Sequence, residues 1–553
     1  MTAPPGPARP PAPGAGQSLR TRVVRTPQDG SRQDRAPEPQ AGRSWPSRII
    51  SVLGRHWLAT LLLAVGLVLR VITQMAYHPA LLYIDSVKYL YNAWMGADPI
   101  GYKVPIKIIM AVGDLGTVAV VQHLLGLAMA AALYVLLVRR GVNRWLAALA
   151  MAPVLFDAYQ LQAEATIMPD VVFEALIVAA LVVMLWQPAV SWLAAVGAGL
   201  ILGVAVTVRE VGLIMIVPAV LFLLINRGPL FSRGGWFPAF GKSVTLGVGF
   251  LLPILACCAV VFHQTGRFEL ATKGSAAGRM AQVADCATLK LPASARLICP
   301  TRAEQARGPD WLQNDPSSPL ITNAPKGAAR LKVISKLDKA VERQQPQRVV
   351  AGVLRDSIRL FEVTRTNTES ITPISRWQFQ LTYPGYVPEI IVHQDGKIVA
   401  GVQYRHGGTW HYFVLNPAFG GKAQVDRPLA SFLRSYQLGG GYTPGPLLLV
   451  LTIIGFGGSL LALFSRKNTP LGRQMALGSM LFFVSAGGLL LVADVYVYSW
   501  RYQLPALITL PMAGVMGGYA FVELFRARKS LKTAAADQAS EAEMSGEARP
   551  GMC

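Results

Sequence analysis

Long apolar runs constrain this chain more than any other feature, because they are too long and too numerous for a water-soluble core. Crossing the hydrocarbon of a bilayer takes about 20 residues of helix. Runs of about that length lie near 50–72, 117–138, 144–160, 170–187, 190–208, 210–226, 243–263, 444–464, 474–494 and 502–524. Over the whole chain 52% of residues are hydrophobic and only 15% are charged, against roughly 25% charged in soluble domains. The expected fold is therefore a multi-pass α-helical membrane protein with about 10 transmembrane helices. The third run is short and ends in the polar stretch 157–160. The fifth and sixth are separated only by Arg209 and Glu210.

The formal charge of +22 would suit a nucleic-acid binder, but most of it lies in tails and loops. No basic domain stands apart from the membrane, so nucleic acid is excluded and anionic membrane lipid is the better partner. Residues 1–45 are rich in Pro, Gly, Arg and Ser and too poor in large apolar groups to bury a core, so a disordered tail is expected. The first apolar run is long enough to span and reads as an uncleaved anchor.

Lys and Arg in short loops mark the cytoplasmic side. With the N-terminus inside, the inner loops carry Arg139, Arg140 and Arg144, then Arg227, Arg233 and Lys242, then Arg466, Lys467 and Arg473, then Arg526, Arg528 and Lys529. Both termini are thus expected in the cytoplasm, with residues 525–553 a second disordered tail. Two larger segments fall outside. The first, 73–116, is apolar enough for short surface helices near 86–94 and 104–110, and Lys103 and Lys107 share a helical face. The second, 264–443, holds a helical pattern over 326–363 that Pro346 divides, then strand-turn-strand patterns around 390–400 and 409–415. A small mixed α/β extracytoplasmic domain is expected there. Cys286 and Cys299 both lie in it, where a disulfide persists if they pair; two free thiols are the alternative.

Charged groups beside spans are costly and mark function. They gather on the outer side: Asp85 in the first outer loop, Asp157, Glu164 and Asp170 after the third span, Arg209 and Glu210 between the fifth and sixth, and Asp494 and Arg501 around the last outer turn. Each has a plainer reading by itself: Asp85 as a helix cap, Arg209 and Glu210 as a snorkelling pair, Asp494 and Arg501 as topology marks. Together they favour a site open to the outer rim. A transporter would place such groups at mid-membrane.

These motifs resemble the GT-C class of membrane glycosyltransferases, which take sugar from a polyprenyl-phosphate carrier. Protein O-mannosyltransferases and the bacterial aminoarabinose and arabinosyl transferases are members. The resemblance rests on Asp85 with Tyr89 and Tyr91, on the stretch from Glu164 to Asp170 leading into a span, on Thr207-Val208-Arg209-Glu210, and on Trp500-Arg501-Tyr502-Gln503-Leu504-Pro505. It covers about 50–263 and 444–524 and implies a GT-C-like transmembrane domain over 46–263, with 444–524 supplying further spans. It also implies an inverting transfer of sugar to a hydroxyl of a glycan, lipid or protein at the plasma membrane's outer face. Asp85 would be the general base. Arg209 and Arg501, with Lys103 or Lys107, would hold the donor phosphate. Glu164, Asp170, Asp157 and Glu210 would position the acceptor or a divalent metal such as Mg or Mn. The O-mannosyltransferases carry Asp-Glu in the first loop where this chain has Asp85-Ser86, so a metal shared by such a pair does not carry over. The competing functions are a lipid or sugar transporter or flippase, and a non-catalytic envelope scaffold.

Overall fold

The structure is a computed structural model. It describes residues 51, 53–83, 85–90, 99–226, 236–270, 276–366, 368, 371–382, 389–394, 397–406, 409–414, 420, 424–465 and 468–546. The expected tail at 1–45 lies outside these residues, as do Tyr91, Arg227, Arg233, Arg466, Lys467 and the turn at 395–396. Of the second expected disordered tail, 525–553, residues 547–553 also lie outside, but 525–546 are helical and continue the last helix of the bundle.

The chain is a multi-pass helical membrane protein. Six described helices are long and apolar enough to cross a bilayer. They are α1 (Trp57–Ala76), α4 (Leu115–Arg139), α11 (Trp236–Thr265), α16 (Gly445–Phe464), α17 (Pro470–Asp494) and α18 (Leu504–Gly546). Shorter helices fill the bundle between them: α8 (Asp170–Leu185), α9 (Trp192–Val208) and α10 (Ile216–Ile225). Polar caps set where several begin. Asp114 and Thr117 form a reciprocal capping box on α4, Ser191 caps α9, and Thr469 caps α17. The bundle packs by small residues. On α9, a Cβ on Gly203 would sit 2.3 Å from the Phe250 carbonyl oxygen of α11, so glycine permits that approach.

The third apolar run differs from its expected form. It is broken into α5 (Arg144–Ala150), α6 (Ala152–Phe156) and α7 (Ala158–Ala165). Pro153 opens the second piece, and Asp157 adopts an extended backbone and caps the third through the Tyr159 N–H. The run 210–226 likewise starts as a tight 3₁₀ stretch, Glu210–Met215, before α10. Between the first two spans lie α2 (Ser86–Leu90), a 3₁₀ turn (Ile100–Tyr102) and α3 (Lys103–Met110).

Beyond α11 comes a small helical cluster built on α12 (Ala277–Val283), α13 (Ala328–Gln344) and α14 (Pro346–Ser357), with a separate apolar core around Leu337, Val341 and Ile298. The helix break expected at Pro346 separates α13 from α14. Cys286 and Cys299 are joined by a disulfide with Cα atoms 6.1 Å apart. A three-stranded antiparallel sheet follows, β2 (Glu389–Gln394), β3 (Lys397–His406) and β4 (Thr409–Val414), in that order. The edge β1 (Tyr77–His78) pairs with β5 (Gln424–Val425), and α15 (Arg427–Leu438) leads back to the bundle.

One buried ion pair pins α1 to α7. Arg70 donates to Glu164 at 2.7 Å and to the carbonyls of Leu155 and Val154, and both side chains are at most 2% exposed. His123 Nδ1 lies 3.0 Å from the second Glu164 oxygen, and Gly126 on α4 leaves the room: a Cβ there would fall 2.0 Å from Glu164 Oε1. Removing either partner strands a buried charge, which costs about 3–5 kcal/mol. Arg70→Met and Glu164→Gln should each lower the unfolding temperature in detergent. The double variant should lose much less than the sum, as read by a thermal-unfolding double-mutant cycle.

Candidate active site

The segment between α1 and α4 is tied to the turn before α8. Leu81 donates its N–H to the Ala165 carbonyl at 2.9 Å and accepts from the Ile167 N–H at 2.9 Å, a parallel bridge that holds the two segments side by side. Ser86 locks the next turn. Its hydroxyl donates to the Ile167 carbonyl at 2.8 Å and accepts from the Tyr83 N–H at 2.9 Å. Asp85 is thereby held between Tyr83 and Ser86, partly exposed, at a turn.

A second constraint gathers the ends of three bundle helices. Asp170 opens α8, Arg209 ends α9, and Arg501 precedes α18. Arg209 donates to Asp170 Oδ1, and Arg501 Nε lies 3.6 Å from the same oxygen. Aromatic faces hold both guanidiniums. Arg209 lies 5.0 Å from the Tyr502 ring, and Arg501 lies 4.6 Å from Trp377 and 4.9 Å from Tyr502. Arg501 also lies in the field of Asp85. The result is a cavity of about 270 Å³ lined by Asp85, Tyr89, Asp170, Glu174, Arg209, Glu210, Arg501 and Tyr502 among others.

Protonation states follow from burial. The Tyr83 phenol is pushed up to about 12 by desolvation and by the neighbouring Asp85 carboxylate. Tyr102 is raised well above its usual value by burial and by Asp170. Both are neutral hydroxyls at physiological pH and do not compete with Asp85 as a base. Arg501 keeps a buried Nη1 with no hydrogen-bond partner among the described residues, and Asp170 Oδ2 is likewise unpartnered. A buried guanidinium with donors to spare beside a cavity is suited to an anion.

Asp85, Asp170, Arg209, Glu210 and Arg501 thus share one cavity. The remaining sequence candidates lie elsewhere. Glu164 is consumed by Arg70 and His123. Asp157 accepts from Arg365 at 3.1 Å and from the Thr443 N–H at 2.8 Å. Lys103 is buried on α3, Lys107 sits at the last turn of that helix, and neither lines the cavity. Asp494 accepts from Ser357 at 2.6 Å, near Arg279.

Sequence reasoning missed Glu174. It is buried one turn beyond Asp170, lines the cavity, and accepts from Gln160 Nε2 at 3.0 Å. The only signal was a carboxylate inside an apolar run. It also missed Trp377, which belongs to the long segment 264–443 yet packs on Tyr83 at 4.6 Å and on Arg501. Among the described residues no group of three or more His, Cys, Asp or Glu side chains could hold a metal ion. Asp170, the best-placed ligand, already faces two guanidiniums.

Residues 98–253 match the family model described as dolichyl-phosphate-mannose-protein mannosyltransferase. The match spans a little over a quarter of the chain. It takes in Asp170, Glu174 and Arg209, while Asp85 and Arg501 fall outside it. Among solved structures, the chain is similar to the S. cerevisiae protein O-mannosyltransferase Pmt1-Pmt2 complex bound to the sugar donor. Identity is 19% and the TM-score 0.31, over 40% of this chain and 36% of the yeast chain. The comparison with curated proteins gives no match.

Each Arg should contribute one or more charge-assisted bonds to a phosphate, about 1.5–3 kcal/mol apiece. Arg209→Ala and Arg501→Ala should therefore each weaken binding of a short-chain prenyl phosphate by at least about tenfold. Isothermal titration in detergent measures this, and Lys107→Ala should leave the affinity unchanged.

Proposed function

We propose that the protein transfers a sugar from a polyprenyl-phosphate donor to a hydroxyl acceptor, with inversion, in the cavity that joins Asp85 to Arg209 and Arg501. That single cavity, lined by a tethered carboxylate and two guanidiniums, carries the reading. We place it at the extracytoplasmic face of the plasma membrane, with both termini cytoplasmic, on the strength of the basic inner loops. About ten spans, with 264–443 as an outer domain, complete the topology.

The chemistry is a single displacement. The acceptor oxygen forms a bond to the anomeric carbon as the bond from that carbon to the phosphate oxygen breaks. Asp85 takes the hydroxyl proton as the nucleophile develops. The polyprenyl phosphate leaves as an anion and needs no proton, so the demand is for positive charge at the leaving oxygen. Arg209 and Arg501 meet it, and their aromatic neighbours keep them in place. A single carboxylate suffices, unlike glycoside hydrolysis with its usual pair. Glu174 lies where the transferred sugar would sit, and a carboxyl there suits hydroxyl recognition. The acceptor is a glycan, lipid or protein hydroxyl, and Trp377 brings the segment 264–443 against Arg501.

Asp85→Asn should retain membrane insertion and prenyl-phosphate binding while transfer from a radiolabelled polyprenyl-phosphate sugar falls by about 10²–10⁴. Full activity in that variant removes Asp85 from the role of base. No transfer by the wild-type chain from any of a panel of polyprenyl-phosphate sugars to membrane-extract acceptors would overturn the function itself.

Glu174→Gln keeps an oxygen for Gln160 and should stay within about threefold of wild type. Glu174→Ala should lower kcat/KM for the donor by about tenfold or more, the loss of one bond to a buried polar group. Steady-state kinetics against donor concentration separates the two variants.

A further inference from the structure

A second cavity, of about 690 Å³, lies on another side of α18. Pro505 of that helix lines the charged cavity, whereas Pro511 and Val515 line this one. Its other walls are α5 and α6 (Leu149, Pro153, Phe156) and α16 (Leu447, Leu451). The space exists because its walls are not straight helices. The third apolar run breaks at Pro153 and again at Asp157, and Pro511 sits inside α18.

The chemistry of the walls specifies the ligand. Among the described residues Asp157 is the one charged group in the lining, and Arg365 already neutralises it. Nothing remains to recognise a charged headgroup. The walls run on into faces that meet the bilayer, since Leu149 and Leu447 are both about half exposed on apolar helices. The cavity extends inward from the 440–444 turn, and Val515 lies about 16 Å along α18 from its first residue. A long apolar slot of this size, continuous with a lipid-facing surface, fits hydrocarbon. Its polar end is close to the chemistry: the Arg365 guanidinium lies over Tyr159, Tyr442 and Trp500, and Trp500 immediately precedes Arg501.

We propose that this cavity is a binding site for the hydrocarbon chain of a bilayer phospholipid, separate from the place of the donor lipid. The proposal rests on the membrane-spanning fold and not on the transfer reaction. The test uses the full chain in detergent micelles, titrated with a phosphatidylglycerol carrying a diazirine in one acyl chain, irradiated and mapped by peptide mass spectrometry. Saturable labelling within 146–156 and 444–451 is expected. Ala150→Trp and, separately, Val515→Trp should lower it at least fivefold while labelling around Leu252 of α11 stays constant. Labelling that does not saturate, or is spread evenly over the lipid-facing helices, would overturn the site, and this wild-type map decides should either variant fail to fold. Unchanged labelling in two folded variants would overturn it as well. Displacement by a prenyl phosphate, with its phosphate arm intact, would assign the slot to the donor and refute a separate lipid. Because the measurement reads binding alone, its failure leaves the transferase reading standing, and absence of transfer leaves this site standing.

Discussion

Asp170 is the carboxylate on which the charged cavity depends. It stands at the start of one helix and faces guanidiniums from the end of a second and the approach to a third. Burying three charges is unfavourable unless each finds a partner. Asp170 answers both guanidiniums, Asp85, Glu174 and Glu210 line the same cavity, and Arg501 still retains a donor that no described residue uses. That unused donor beside the cavity, and not a surplus of positive charge, is the feature on which the proposed phosphate site rests.

The position of Asp85 follows from a longer chain of constraints. Arg70 reaches from the first span to Glu164, and this fixes α7. The segment that follows α7 lies beside Leu81, and Ser86 fastens the turn to Ile167. A buried ion pair inside the bundle thus sets the height of Asp85 at its rim. Arg70 and Glu164 touch no substrate in this scheme, but loosening them would move the group that does.

The bundle and the rim were legible in the sequence because both follow from local rules: apolar length sets a span, and a charge beside a span is costly. Asp85, Asp170, Arg209, Glu210 and Arg501 emerge from those rules and share one cavity. The rules fail where a partner is distant in the chain. Glu164 is answered by Arg70, 94 residues earlier, and Asp157 by Arg365, 208 residues later. Neither pairing leaves a local pattern, so both carboxylates read as candidates for the site. Glu174 failed in the opposite sense. An isolated Glu in an apolar run raises no spacing motif, and only the fold brings it to the cavity floor. The exposed stripe Val350, Leu354 and Ile358 gives the same lesson: its period marks a helix correctly but does not say whether the apolar side meets the core.

The two cavities lie along a single helix, α18, and differ sharply in the chemistry of their walls. A phosphate in the apolar slot would be a charge without partners, since its one carboxylate is already paired and would repel it. A hydrocarbon chain in the charged cavity would desolvate Asp85, Glu210 and two guanidiniums while giving nothing in return. Each cavity therefore rejects what the other accepts. Between them in the chain, Trp500 lies against Arg365, the partner of Asp157 in the slot, and immediately precedes Arg501 of the charged cavity.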